Sequence, residues 1–355
     1  MSRRGLTFGV AALLTAVLAV LAAVLPVPYV LLVPGPVCDT LGSCYDKTVI
    51  SVDPSADSSP NGHLYLTTVG VVPGSCDDHP TLLQALRAWW DHTEAVEPHQ
   101  VICPPGESSS AVQRQNEQDM SVSQRDAVTA ALLQLGYKPT VQHVVVADIP
   151  DDSVPAASVL ETGDLILAVE GQPVTSADHL RQLVGAHPVG TRITLSIERA
   201  GKQQDVKVKT IDSGDATHRA IIGITPDLRA TFKQPHVSLG LDPAQVGGPS
   251  AGLMFTLGII DKLTPGDLTG GRTVAGTGTI DAFGNVGPIG GVQQKIAGAT
   301  KRDISATVFL TPAGDCADAK AVAPDSLTLV RVDKLQTALD ALKAIVSGTG
   351  SFPRC

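Results

Sequence analysis

The chain contains no block of lysine or arginine, and aromatic residues make up only 3% of its 355 positions. With 26 basic against 35 acidic side chains and a net charge of −9, it lacks the clustered cations that neutralise phosphates. Nucleic-acid binding is therefore excluded as a reading. No C-x-x-C pair and no Cys/His zinc spacing occurs, so neither a metal nor another cofactor is expected. A G-x-x-x-x-G-K-[ST] loop is also missing, which excludes a P-loop ATPase. None of the nine histidines falls between Ser250 and Ala299, and nothing points to a Ser-His-Asp triad.

What is present begins with an uncharged run. After Arg3 and Arg4, Gly5 to Leu25 is free of charge, and as a helix 21 residues would rise about 31 Å, enough to cross a bilayer. Pro26 and Pro28 follow. The reading is a retained single-pass membrane anchor, N-terminus cytoplasmic and the rest extracytoplasmic, with a cleaved signal peptide as the alternative. Six cysteines follow the run: Cys38, Cys44, Cys76, Cys103, Cys316 and Cys355. An even count outside a membrane suggests disulfides, most simply 38–44, 76–103 and 316–355, although the connectivity stays open and free thiols are the alternative.

Residues 34–47 read as a linker. Lys47–Val52 and His63–Val72 read as strands around a turn at Ser58–Gly62. Leu82–Trp90 reads as a short amphipathic helix, its adjacent Trp89 and Trp90 assigned to packing, with an exposed protein-binding or membrane-surface patch as the alternative. A longer helix is clearest over Met120–Leu135, closed by Gly136; its Ser121 and Ser123 are read as exposed helix-start residues without a catalytic role. Gln142–Thr210 is a compact, strand-rich unit. Within it, VPAASVLETGDLILAVEGQPV, a helix and VGTRITLSIERAGK resemble a PDZ domain of the bacterial protease-associated kind over about 70 residues. Such domains bind extended peptides by strand addition. The family's carboxylate-binding glycine loop has no clear counterpart here, and a ligand-free β-rich spacer is the alternative.

The chemistry-bearing stretch runs from Val246 to Ala299. Ser250 follows Gly-Gly-Pro and precedes the apolar helix LMFTLGII, where free N–H groups suit an oxyanion. By itself it fits a helix N-cap equally well. Lys295 lies 45 positions on, after the glycine-rich VGPIGG. A lysine serves as a base only when burial lowers its pKa, and Ile289, Val292 and Ile296 could supply that burial. A solvated lysine is the alternative.

GGPSAG followed by AGTGTIDAFGNVGPIGGVQQK resembles the proteolytic domain of the Lon protease family. The resemblance implies a Ser-Lys dyad, with Ser250 as nucleophile and Lys295 as base. It also implies a supporting hydroxyl on Thr277 and an oxyanion-loop region at Gly248 and Pro249. Where Lon proteases often carry an acidic residue three before the serine, this chain has Gly247, which leaves no obvious carboxylate to tune the lysine. GHLYLTTVGV and MSVSQRDAVTAALLQLG resemble the opening strand and helix of the same domain, which would make the PDZ unit an insert.

The order of parts resembles the YlbL-like membrane-anchored Lon-related proteases. The expected fold class is α+β: a transmembrane helix, then a Lon-type, ribosomal-protein-S5-like domain with an inserted or adjacent PDZ domain. Expected boundaries are 1–33 anchor, 34–138 linker and first proteolytic part, 139–212 PDZ, 213–346 Lon-type domain and 347–355 tail. The implied function is ATP-independent serine endopeptidase action on extracytoplasmic or membrane-associated proteins, with protein or peptide substrates taken through the PDZ domain. A non-catalytic PDZ scaffold on a protease-derived fold is the alternative. Lon proteolytic domains tend to form hexameric rings, so the resemblance also implies a homo-oligomer.

Overall fold

The structure, a computed structural model, describes residues 3–55, 61–150, 153–216 and 218–355, with side chains from Phe8 onward. Part of the turn expected at Ser58–Gly62 and the side chains of Arg3 and Arg4 lie outside the described residues. The helices are α1 (Arg3–Val24), α2 (Leu82–Trp90), α3 (His99–Ile102), α4 (Ser109–Gln134), α5 (Ala177–Gly185), α6 (Gly252–Leu263), α7 (Val292–Ala299), α8 (Cys316–Val322) and α9 (Leu335–Ser347).

One six-stranded sheet runs in the order Thr328–Val332, Val308–Pro312, Thr273–Gly276, His63–Val72, Tyr29–Asp39, Ala95–Pro98. The first four strands are mutually parallel, and Tyr29–Asp39 is antiparallel to both its neighbours. Strand side chains alternate between faces, and the four parallel strands carry apolar residues on both. Leu64, Leu66, Val274, Val308, Leu310 and Val330 pack with α6, α4 and α9, through Phe255, Leu257, Met120, Ala127 and Leu342. The residues between them, Tyr65, Ala275, Phe309 and Leu329, face α7 and α8 through Val292, Ile296 and Ala319. Strands covered on both faces need such continuous apolar runs. Helix α6 is apolar all round, and every residue from Gly252 to Asp261 is buried, as expected of a helix inside a core.

A second sheet, entirely antiparallel, orders Lys202–Lys209, Arg192–Arg199, Leu165–Val169, Val141–Asp148 and Thr225–Thr231. With α5 it encloses its own core, including Val144, Ile166, Leu180, Ile193 and Leu195. In chain order it falls between strands of the first sheet. It also reaches Thr231, past residue 212, because Thr225–Thr231 pairs with Val141–Asp148. Three disulfides close as 38–44, 76–103 and 316–355.

Two expectations are corrected. Among the described residues no helix is long and apolar enough to cross a membrane, so the transmembrane anchor and the single-pass membrane location are not supported. Helix α1 spans Arg3–Val24 and opens on two arginines. Trp89 and Trp90 are 77% and 83% exposed rather than packed. Helix α2 buries the face carrying Ala85 and Ala88 against Leu31, and the tryptophans lie off that face.

Candidate active site

Ser250 sits at the turn into α6. The helix N-cap is Ala251, with no side-chain cap bond, so Ser250 precedes the capping position and its hydroxyl is free of that role. Among the described residues this half-buried hydroxyl makes no hydrogen bond. The backbone around it is tightly held instead. The Ser250 carbonyl accepts from the Gly278 N–H at 2.9 Å and from the Thr277 hydroxyl at 3.0 Å. Gly278 lies at φ +155°, and a Cβ there would meet Val286 Cγ1 at 3.0 Å and Leu253 at 3.3 Å. Only glycine lets the two segments close in this way.

Lys295 is 2% exposed on α7, behind the left-handed cap residue Gly291. Its Nζ donates to Thr277 Oγ1 at 3.0 Å. Thr277 follows the end of strand Thr273–Gly276, which lies between α6 on one face and α7 on the other. One hydroxyl at the carboxyl end of a central strand thus links the two helices. Lys295 and Ser250 are joined through Thr277; Nζ and the Ser250 hydroxyl are not hydrogen-bonded to each other. Burial lowers the Lys295 pKa from 10.5 to about 7, opposed by the charge of Asp315. Val292 and Ile296 beside it are buried and Ile289 partly so.

Asp315 has no counterpart in the sequence reading. Its carboxylate accepts the Ile289 N–H at 3.1 Å, pinning the loop that leads into α7, and burial raises its own pKa. Gly247 leaves the third position before the serine without a carboxylate, and Asp315 brings one near the lysine from another strand end. Nothing local in TPAGD signals this, since the proximity comes from sheet order. Gly248 is also more constrained than expected. Its N–H donates to the Asn116 carbonyl at 2.8 Å, which commits that group to α4.

A second feature of the strand-rich unit is a cavity of about 120 Å³ between α5 and residues 219–226, lined by Leu180, Val184, Ile221, Ile222 and Gly223. Gly223 takes φ +75°. Strand Thr225–Thr231 ends the sheet order, so its outer edge is a place where a peptide strand can add. Where the two cores meet, a cleft of about 520 Å³ lies between α4 and the second sheet. Asp126 of α4 and Asp227 of the second sheet are both buried there. Burial, then the neighbouring Asp227, push the Asp126 pKa up to about 8. Asp227 also accepts the Ala282 N–H at 3.3 Å. Among the described residues no group of three or more His, Cys, Asp or Glu is arranged to hold a metal.

Comparison with known proteins agrees with this division. The PDZ domain family matches residues 114–210, and the Lon protease (S16) C-terminal proteolytic domain matches residues 193–345. The matches overlap, and the first reaches into α4, which the structure packs on α6; the sheets give the cleaner border. The Lon protease of Phenylobacterium zucineum is 32% identical over 127 residues, 34% of this chain and 15% of the relative. A probable periplasmic serine endoprotease DegP-like of Pseudomonas fluorescens is 39% identical over 64 residues, 18% of this chain and 13% of the relative. The putative zinc metalloprotease Atu1380 of Agrobacterium fabrum is 32% identical over 97 residues, 26% of each chain. The chain thus spans about a quarter or less of these relatives' lengths. Among solved structures, the PDZ domain of the SdrC-like protein Lmo2051 from Listeria monocytogenes is 29% identical, covering 25% of this chain and 92% of its own, with a TM-score of 0.23.

The chain is thus a two-part protein, joining a PDZ domain to a Lon-type C-terminal proteolytic domain. That pairing is consistent with a YlbL-like Lon-related protein.

Proposed function

We propose that this chain is an ATP-independent serine endopeptidase working through a Ser-Lys dyad. Neutral Lys295 accepts the Ser250 hydroxyl proton as Oγ attacks the scissile carbonyl. The tetrahedral oxyanion rests on backbone N–H groups at the α6 N-terminus. The protonated lysine then passes its proton to the leaving amine; water, deprotonated by Lys295 in turn, attacks the acyl carbon, and Ser250 Oγ departs as it takes that proton back from Lys295. Thr277 holds Nζ in place, and a rotation of the free Ser250 hydroxyl brings it toward the amine. The observation that carries this reading is Lys295 itself: 2% exposed, donating to Thr277, with a pKa brought to about 7. A structural lysine would be solvated or ion-paired.

The PDZ unit, residues 141–231, is read as an insert within the proteolytic domain, with its α5 groove and free sheet edge presenting an extended polypeptide. Substrates are then unfolded or extended segments. The test uses the purified chain with a quenched fluorescent polypeptide. Ser250→Ala and Lys295→Met each abolish cleavage while circular dichroism is unchanged, and a fluorophosphonate labels Ser250 in the native chain only. Substantial turnover by either variant overturns the dyad. The missing Nζ–Oγ hydrogen bond favours one rival, a non-catalytic scaffold, which predicts neither turnover nor labelling.

A further inference from the structure

Ser123 lies in the middle of α4, more than a hundred residues from Ser250 in sequence, and is 2% exposed. Its hydroxyl donates to the Pro249 carbonyl at 2.9 Å. That carbonyl belongs to the peptide group whose other end is the Ser250 N–H. A trans peptide is planar, with C=O and N–H pointing in opposite directions. Anchoring the oxygen toward α4 therefore turns the Ser250 N–H away from α4. Among the described residues that N–H has no acceptor. Among the described residues the only other hold on the Pro249 carbonyl is a long bond of 3.4 Å from the Gly252 N–H.

Two further contacts fix the same loop on α4. The Gly248 N–H is spent on the Asn116 carbonyl at 2.8 Å, so it does not serve an oxyanion. At Gly252 a Cβ would lie 2.8 Å from both Ser123 Oγ and Ile280 Cγ2, so glycine alone lets α6 start this close to the Ser123 hydroxyl. A buried serine hydroxyl in mid-helix ordinarily bonds back to its own helix; this one reaches across to the catalytic loop.

We propose that Ser123 is a positioning residue for the oxyanion hole, setting the Pro249–Ser250 peptide plane so that the Ser250 N–H faces the developing oxyanion. It never touches substrate and acts only through that plane. The inference rests on Ser250 being the nucleophile.

The test compares native chain, Ser123→Ala, Ser123→Thr and Ser250→Ala in steady-state cleavage of the fluorescent polypeptide and in binding of a peptide boronate, whose tetrahedral adduct mimics the oxyanion. Ser123→Ala lowers kcat about 10–100-fold, less than the roughly 10²–10³-fold for deleting a donor outright. KM stays within about twofold, because ground-state binding is untouched. Boronate affinity falls by a similar factor, and Ser123→Thr, which keeps the hydroxyl, recovers most of both losses. If Ser123→Ala does not fold, Ser123→Cys, nearly isosteric with a weak donor, takes its place with the same expectation. Native kcat, or a loss of kcat with boronate affinity unchanged, overturns the role of Ser123. An active Ser250→Ala overturns the dyad instead, so the two failures are distinguishable.

Discussion

Replacing Lys295 by methionine separates two consequences of one buried amine. The site brings its pKa from 10.5 to about 7, which raises the neutral fraction at pH 7 from roughly 1 in 3,000 to about one half, worth about 5 kcal/mol between the two protonation states. For catalysis the gain is about a thousandfold in usable base, so the pH profile of kcat/KM should show an acid limb with its midpoint near pH 7. Lys295→Met should remove activity by at least that factor. For stability the sign is opposite. A lysine whose native pKa is depressed binds fewer protons when folded, so native stability rises with pH between about 7 and 10.5 and is lowest below 7. Methionine keeps the volume and drops the charge, so the variant should melt higher than the native chain at pH 6, with the advantage vanishing near pH 10. Calorimetry at several pH values and a pH–rate series measure both. An acid limb placed near pH 10, or a variant that melts lower at pH 6, would refute the view of Lys295 as a desolvated base.

Thr277→Val strips the partner from Lys295 Nζ and from the Ser250 carbonyl. It should cost about 1–3 kcal/mol of stability and lower kcat about 10–100-fold, while Thr277→Ser stays near native; chemical denaturation with kinetics checks both. Asp315→Asn keeps an acceptor for the Ile289 N–H but removes the charge that favours protonated Lys295. The acid limb of the pH profile should therefore move to lower pH, and an unmoved limb would exclude electrostatic tuning by Asp315. Asp126 faces Asp227, Asp281 and Arg125, and its native pKa of about 8 means that the folded chain retains a proton which the unfolded chain loses near pH 4. Stability from this group falls as pH rises between those values. Asp126→Asn should leave Tm unchanged at pH 4 and raise it by several degrees at pH 8; parallel curves would show that the interdomain carboxyl pair carries no such linkage.

Several local decisions were legible in the sequence because they depend on spacing along the chain. Alternating apolar positions in His63–Val72 predict a strand. The short cysteine separations match the closures that form. The Lon-like and PDZ-like motifs lie inside the matching domain families. Periodicity failed where exposure depends on what lies opposite. Ser123 was read as a surface residue, yet α6 and the loop leading into it cover it. Trp89 and Trp90 were read as packed, yet both are exposed. The apolar N-terminal run was read as a membrane span, and no described helix meets that requirement.

The sequence by itself determined which side chains are available for chemistry: a serine before an apolar helix, a threonine beyond a strand, and a lysine behind a glycine-rich turn. Their meeting was decided only by the tertiary structure. Strand Thr273–Gly276 is sandwiched between α6 and α7, so Thr277 at its end reaches both the Ser250 carbonyl and Lys295 Nζ. The burial that makes the lysine ammonium acidic enough to leave much of the amine neutral near pH 7 comes from residues brought in by the sheet, and desolvation is a property of the surrounding volume that no linear spacing encodes.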